Sequence, residues 1–174
     1  MLPLGHIGIT LAVARVLQKS LALQRVDYRV LLLGSILPDL IDKPLGYLFS
    51  AKHEIGGKSY GHSLLFLLLL SIIGVVQQRK KNRTPIWFLL IGTIAQDIAD
   101  TMWHFPKIFF DPIYQWKMVT PPYEAWQGFF NFRTIHIRQL FAFEIIGGSI
   151  LLYFFIKLVL HNKIFHFIKT GELN

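Results

Sequence analysis

Five apolar stretches take up most of the chain, each about 16 to 20 residues long, close to what an α-helix needs to cross a ~30 Å hydrocarbon core. They run approximately from Leu4 to Leu23, Val30 to Phe49, His62 to Gln78, Ile86 to Trp103, and Leu140 to Leu160. This pattern predicts an all-α, polytopic membrane helix bundle of about five transmembrane helices, folded as a single membrane domain over residues 1–174. The third stretch (LLFLLLLSIIGVV) and the fifth (FAFEIIGGSILLYFFIKLVL) are the most continuous. The first carries Arg15 and the second Asp39 and Asp42, so both are expected to pack inside the bundle rather than face lipid.

Composition agrees with a membrane setting. Charged residues make up only 16% of the chain, against roughly 25% in a typical soluble domain, and the mean hydropathy is +0.45. The net charge of +8 could in principle serve nucleic acid, anionic lipid or membrane topology. Its placement decides between them. Arg15, Lys19, Arg25 and Arg29 cluster at and just beyond the end of the first stretch, Arg79, Lys80, Lys81 and Arg83 follow the third, and Lys157, Lys163 and Lys169 lie at the end of the fifth. That alternation follows the positive-inside rule, putting the N-terminus outside and the C-terminus in the cytoplasm, and nucleic acid is not an expected partner. No basic region or small-residue cleavage site marks a removable signal peptide. Between the fourth and fifth stretches, Phe105 to Gln139 is rich in Pro and aromatics, including Pro106, Pro112, Trp116, Pro121, Pro122, Tyr123 and Trp126. Such a segment suits an interfacial cap on the outer face.

The ionisable residues within or beside the apolar stretches are distributed unevenly. His6 opens the first, Asp39 and Asp42 lie in the second, His62 opens the third, and Asp97, Asp100 and His104 close the fourth. In the topology above all seven sit at the outer end. Asp39 and Asp42 are i and i+3, and Asp97, Asp100 and His104 are i, i+3 and i+7, so on unbroken helices each set shares a face. Asp and His inside membrane segments usually face the bundle interior with partners or an ion. With no cysteine in the chain, a metal would be held by imidazole and carboxylate, which suits a divalent ion, zinc first and manganese second. A carboxylate outside the ligand set, Asp97 or Asp42, could serve as general base or orient a liganding imidazole. Taken singly, the same residues have structural roles: His6 at an interface, Asp39 in a turn after Pro38, and His62-Ser63 as a helix cap. Glu144 in the fifth stretch could pair with a basic residue or take part in ion passage. Arg133, His136 and Arg138 are expected to anchor headgroups, and His53, Glu54, His161 and His166 to lie in loops or the basic tail.

The order Gly5-His6-Ile7-Gly8, Gly34-Ser35-Ile36-Leu37-Pro38-Asp39-Leu40-Ile41-Asp42, Gly61-His62-Ser63-Leu64-Leu65 and Gly92-Thr93-Ile94-Ala95-Gln96-Asp97-Ile98-Ala99-Asp100-Thr101 resembles the YdjM-type inner-membrane proteins, described as metal-dependent hydrolases. The likeness covers roughly Leu4 to Pro112. It implies a multi-pass inner-membrane location and a metal site of His6, Asp39, His62 and Asp100. Gln96 stands where that pattern has a His four residues before the last Asp, and His53-Glu54 and Gly56-Gly57-Lys58 replace a His-Arg-Gly lead-in. Asp97 or His104 could compensate. The expected function is therefore an integral membrane hydrolase in which a metal held by His6, Asp39, His62 and Asp100 activates water. His104 is an alternative ligand. Membrane lipids are the expected surroundings, and a lipid headgroup or other amphiphile at the outer interface is the expected substrate. The alternative is an ion- or proton-binding transporter, or a non-catalytic membrane factor, using the same acids.

Overall fold

The computed structural model describes residues 3–23, 25–49, 60–80, 85–110, 113 and 135–173. These residues form α-helices with no strand among them. The helices are α1 (Pro3–Ser20), α2 (Tyr28–Gly34), α3 (Leu37–Phe49), α4 (Leu64–Lys80), α5 (Ile86–Ala99), the short α6 (Pro106–Phe109), α7 (Ile135–Leu160) and α8 (Ile164–Thr170). A 3₁₀ turn, Met102–His104, follows α5. His53, Glu54 and Arg133, and most of the expected cap, lie outside the described residues.

The helices do not reproduce five uninterrupted spans. Among the described residues, α7 alone contains a stretch both long and apolar enough to cross a membrane unaided, Phe141–Leu160, with mean hydropathy 2.0. The expected second span is broken at Ser35–Ile36 into α2 of 7 residues and α3 of 13. Ser35 ends α2, its N–H bonding the Leu31 carbonyl at 3.1 Å, and Pro38 then sits in the first turn of α3, where its missing N–H costs nothing. The expected fourth span stops at Ala99, because Asp100 caps α5 and Thr101 takes a left-handed conformation (φ 53°). At the other end of the chain α7 begins at Ile135, so the last five residues assigned to the cap, 135–139, are helical.

Helices cross closely through two glycine pairs where a Cβ does not fit. A Cβ on Gly8 of α1 would lie 2.2 Å from the Gly147 carbonyl oxygen of α7, and one on Gly147 would lie 2.3 Å from that of Leu4. Similarly, α2 crosses α5 through Gly34 and Gly92, where added Cβ atoms would stand 2.2 Å and 2.1 Å from the carbonyl oxygens of Leu89 and Leu31. Small residues at helix crossings give the close van der Waals contact that holds membrane helices together without hydrophobic drive. The α1–α7 contact is reinforced by Glu144, whose carboxylate accepts from the Leu4 N–H at 3.1 Å and the Gly5 N–H at 2.9 Å. This answers the sequence's ambiguity over Glu144: it satisfies donors that a helix N-terminus leaves open.

The opposite end of α1 is closed by the chain's own tail. Ala22 is left-handed (φ 49°) and the Leu23 N–H bonds the Gln18 carbonyl at 3.0 Å, a Schellman-type stop. Asp27 then caps α2, accepting from the Arg29 and Val30 amides. Burial pushes the Asp27 carboxyl up, but the Arg29 guanidinium and these amides outweigh it and hold it below the usual carboxylate range. Tail residues settle on this turn. The Gly171 carbonyl accepts from the Tyr28 N–H at 2.9 Å, the Leu173 carbonyl from Arg15 at 3.1 Å, and the Ile168 carbonyl from Arg29. A small apolar cluster of Leu11, Val26, Tyr28, Leu31 and Leu173 packs beneath.

Polarity is inverted relative to a soluble domain. Exposed side chains include Leu68, Leu69, Ile72 and Ile73 on α4 and Ile145, Leu152, Phe155 and Ile156 on α7. Buried ones include His6, Asp42, His62, Ser63, Gln96 and Asp97. An apolar exterior of this extent marks a surface built to meet something other than water, and a polar interior needs partners to be stable. The Gly8–Gly147 crossing gives a direct check. Gly8→Ala is expected to destabilise the purified protein by about 1–3 kcal/mol, seen as a lowered unfolding temperature. Gly148→Ala, whose added Cβ would meet only Leu4 Cδ1 at 3.9 Å, should leave that temperature unchanged.

Candidate metal centre

Four helical elements bring His and Asp side chains to one end of the bundle. His6 lies in the first turn of α1 and is 1% exposed. Asp39 and Asp42 project from the start of α3, which the break at Ser35 and Pro38 turns away from α2. His62 sits in the turn just before α4, and Asp100 ends α5. The cap of α4 is Ser63, whose hydroxyl oxygen accepts the Phe66 N–H at 3.2 Å while its own proton goes to the Tyr60 carbonyl at 2.8 Å. Because the neighbouring serine does the capping, His62 is left for another task.

That task is set by Asp42. Its Oδ1 accepts the Gly61 N–H at 2.7 Å, and its Oδ2 lies 2.7 Å from His62 Nδ1. Both side chains of the Asp42–His62 pair are fully buried. A carboxylate is an acceptor, so the proton belongs on Nδ1 and the Nε2 lone pair faces the other way. It faces Asp39 Oδ1 at 3.7 Å and Asp100 Oδ2 at 3.6 Å, both too long for hydrogen bonds. Asp100 turns its second oxygen, Oδ1, to His6 Nε2 at 3.3 Å. Both ring nitrogens of His6 are buried with no hydrogen-bond partner among the described residues. Asp39 is steadied from outside by Lys43, whose Nζ donates to Oδ2 at 2.8 Å and leaves Oδ1 turned inward.

These separations fit a bound divalent cation. Bonds of about 2.0–2.2 Å to imidazole nitrogen and carboxylate oxygen place neighbouring tetrahedral ligand atoms roughly 3.3–3.5 Å apart. The gaps from His62 Nε2 to Asp100 Oδ2 and Asp39 Oδ1, 3.6 and 3.7 Å, differ from that by tenths of an ångström. Ligand atoms of Asp39, His62 and Asp100 all lie within 4.8 Å of one another, with His6 joined through Asp100. The donor set contains nitrogen and oxygen only, as zinc and manganese accept.

The remaining sequence candidates fall differently. Asp97 is buried on α5, three residues before Asp100, but is not in the converging group. Gln96 is fully buried, and neither its amide nitrogen nor its oxygen has a hydrogen-bond partner among the described residues. His104 is removed from the helix face on which the sequence puts it. The i+7 relation to Asp97 holds only on an unbroken helix, and Thr101 ends that phase, leaving His104 exposed in the 3₁₀ turn with its ring against Trp103. Two contributors escape sequence reading. Lys43 is signalled only by its i+4 spacing from Asp39, and Glu144 by being an acid in an otherwise apolar helix, with nothing to tell that its target is the backbone of α1, two residues from His6.

No curated protein and no solved structure matches the chain. The family model of the YdjM inner membrane protein matches residues 1–167, nearly the whole length and a span that includes the His and Asp residues above. On that match the chain belongs to the YdjM inner membrane protein family.

Proposed function

We propose that this protein is a multi-pass membrane hydrolase whose reaction centre is the His6, Asp39, His62 and Asp100 cluster, loaded with a divalent metal, zinc first. The observation that carries the reading is the Asp42–His62 bond at 2.7 Å beside carboxylates at metal-ligand spacing. A ligating imidazole is typically held in this way by a carboxylate on its other nitrogen. Of the roles the sequence leaves open for Asp42, this contact favours orienting His62. Both Asp42 oxygens are taken by the Gly61 amide and the ring, which leaves it poorly placed to accept a proton from water. Asp97 stays the candidate for general base, one helical turn from Asp100.

The arrangement suits hydrolysis of an ester or phosphoester at a membrane surface. A divalent ion at this point would supply water activation at neutral pH and polarisation of the scissile group's oxygen. The protein's own part is to fix two imidazoles and two carboxylates around that point, with Lys43 holding Asp39 in place and Glu144 holding the start of α1. The basic residues Arg15, Lys19, Arg79, Lys80 and Lys157 lie towards the other ends of α1, α4 and α7. By the positive-inside rule that end faces the cytoplasm and the cluster faces out, so a lipid headgroup or another amphiphile is the substrate we infer.

Two measurements test the reading. Purified protein should carry stoichiometric zinc or manganese by elemental analysis, and joint replacement of Asp39 and His62 by Ala should abolish it. Metal retained at full stoichiometry in that variant would contradict the cluster as drawn. Asp42→Asn should keep the ligands yet weaken metal affinity about 10- to 100-fold, whereas His104→Ala should leave affinity unchanged. Hydrolysis of a phospholipid in detergent micelles should follow metal content across these variants.

A further inference from the structure

A cavity of about 610 Å³ runs between α1 and α5, and its lining changes along its length. At one end is His6, which also belongs to the metal cluster, with Thr10 one turn further along α1. Beyond them the described lining is wholly apolar, from Val13 and Leu17 on one wall to Ile91 and Ile94 on the other. No charged side chain lines it among the described residues. The wall on α5 extends from Phe88 to Ala99, eleven residues apart. At 1.5 Å per residue this is about 16 Å, close to half of a ~30 Å hydrocarbon core.

From this we infer that the α1–α5 groove holds one acyl chain of a membrane amphiphile, with its polar head at His6 and beside Asp100. The inference rests on the proposed hydrolytic reading and names its substrate class: a lipid or lipid-like ester bearing a long acyl chain. Three features select this occupant. The groove reaches the cluster at one end only, where His6 lines it, and this orders a head and a tail. A chain seated in it therefore brings its first polar linkage beside His6. Its length matches the depth of one leaflet, so a chain could enter from the bilayer without leaving apolar surroundings. A helix from a protein partner is a worse fit, since it would need about 10 Å of clear width along the whole groove.

The test is native mass spectrometry of the purified protein with palmitoyl lysophosphatidylglycerol as probe, with the lauroyl form and glycerol phosphate for comparison. Binding should strengthen from glycerol phosphate through lauroyl to palmitoyl, because each added methylene is buried. Ala95→Trp, which fills the groove from α5, and Ala14→Trp, which fills it from α1, should each weaken palmitoyl binding about tenfold or more, the loss expected when two or so methylenes are no longer buried. Ile156→Trp on the exposed face of α7 should not. Equal binding by wild type and by whichever groove variants fold, or a palmitoyl probe bound no better than glycerol phosphate, would overturn the proposal. Repeating the titration with the Asp39→Ala, His62→Ala protein separates the two readings. Chain binding that persists there supports the groove even if no turnover is ever seen, and binding lost there contradicts it.

Discussion

The site depends on one carboxylate used twice. Asp42 of α3 binds the Gly61 amide and the His62 ring, each at 2.7 Å, and so ties the turn before α4 to α3. Without it His62 would be free to rotate and to exchange its ring proton between nitrogens. With it, Nε2 is turned towards Asp39 and Asp100, in a fully buried setting where a hydrogen bond to a carboxylate is strong. The other members of the cluster are placed by helix ends: Pro38 sets the start of α3, Thr101 stops α5 just after Asp100, and Glu144 holds the first amides of α1.

The rest of the fold makes this concentration of polar groups tolerable. Apolar side chains of α4 and α7 face outward, and the interior near the cluster is filled by His, Asp, Gln and Ser. Little hydrophobic drive is then available to hold the helices together if their surroundings are lipid. The glycine crossings of α1 on α7 and of α2 on α5 supply contact of another kind, backbone against backbone. At the far end the tail, gathered on Asp27, Tyr28 and Arg29, closes the bundle with hydrogen bonds rather than with a large core.

Helical class, membrane setting and the gathering of His and Asp at one end can all be read from the sequence, because each is written in residue positions. Apolar stretches set the first and basic clusters the second. The i, i+3 spacing within α3 places Asp39 and Asp42 on neighbouring turns. The breaks are not so written. Ser35 interrupts an apolar run that reads as continuous, and Thr101, a β-branched residue in the left-handed region, goes against its own preference under tertiary constraint. Extending the helix through Thr101 puts His104 on the wrong face. Glu144 shows the same limit: its acidity is visible in the sequence, but its partner lies 139 and 140 residues away in the chain. Helix lengths are likewise not legible from a count of apolar stretches, since breaks and caps leave α2, α3 and α5 at 7, 13 and 14 residues.

In the proposed site two imidazoles, His6 and His62, share one metal ion with carboxylates from α3 and α5. X-ray absorption spectroscopy of the zinc-loaded protein counts imidazole ligands directly. Two imidazoles with the remaining ligands oxygen are expected, falling to one imidazole in His6→Ala. A single imidazole in the wild type, or an unchanged count in His6→Ala, would contradict it.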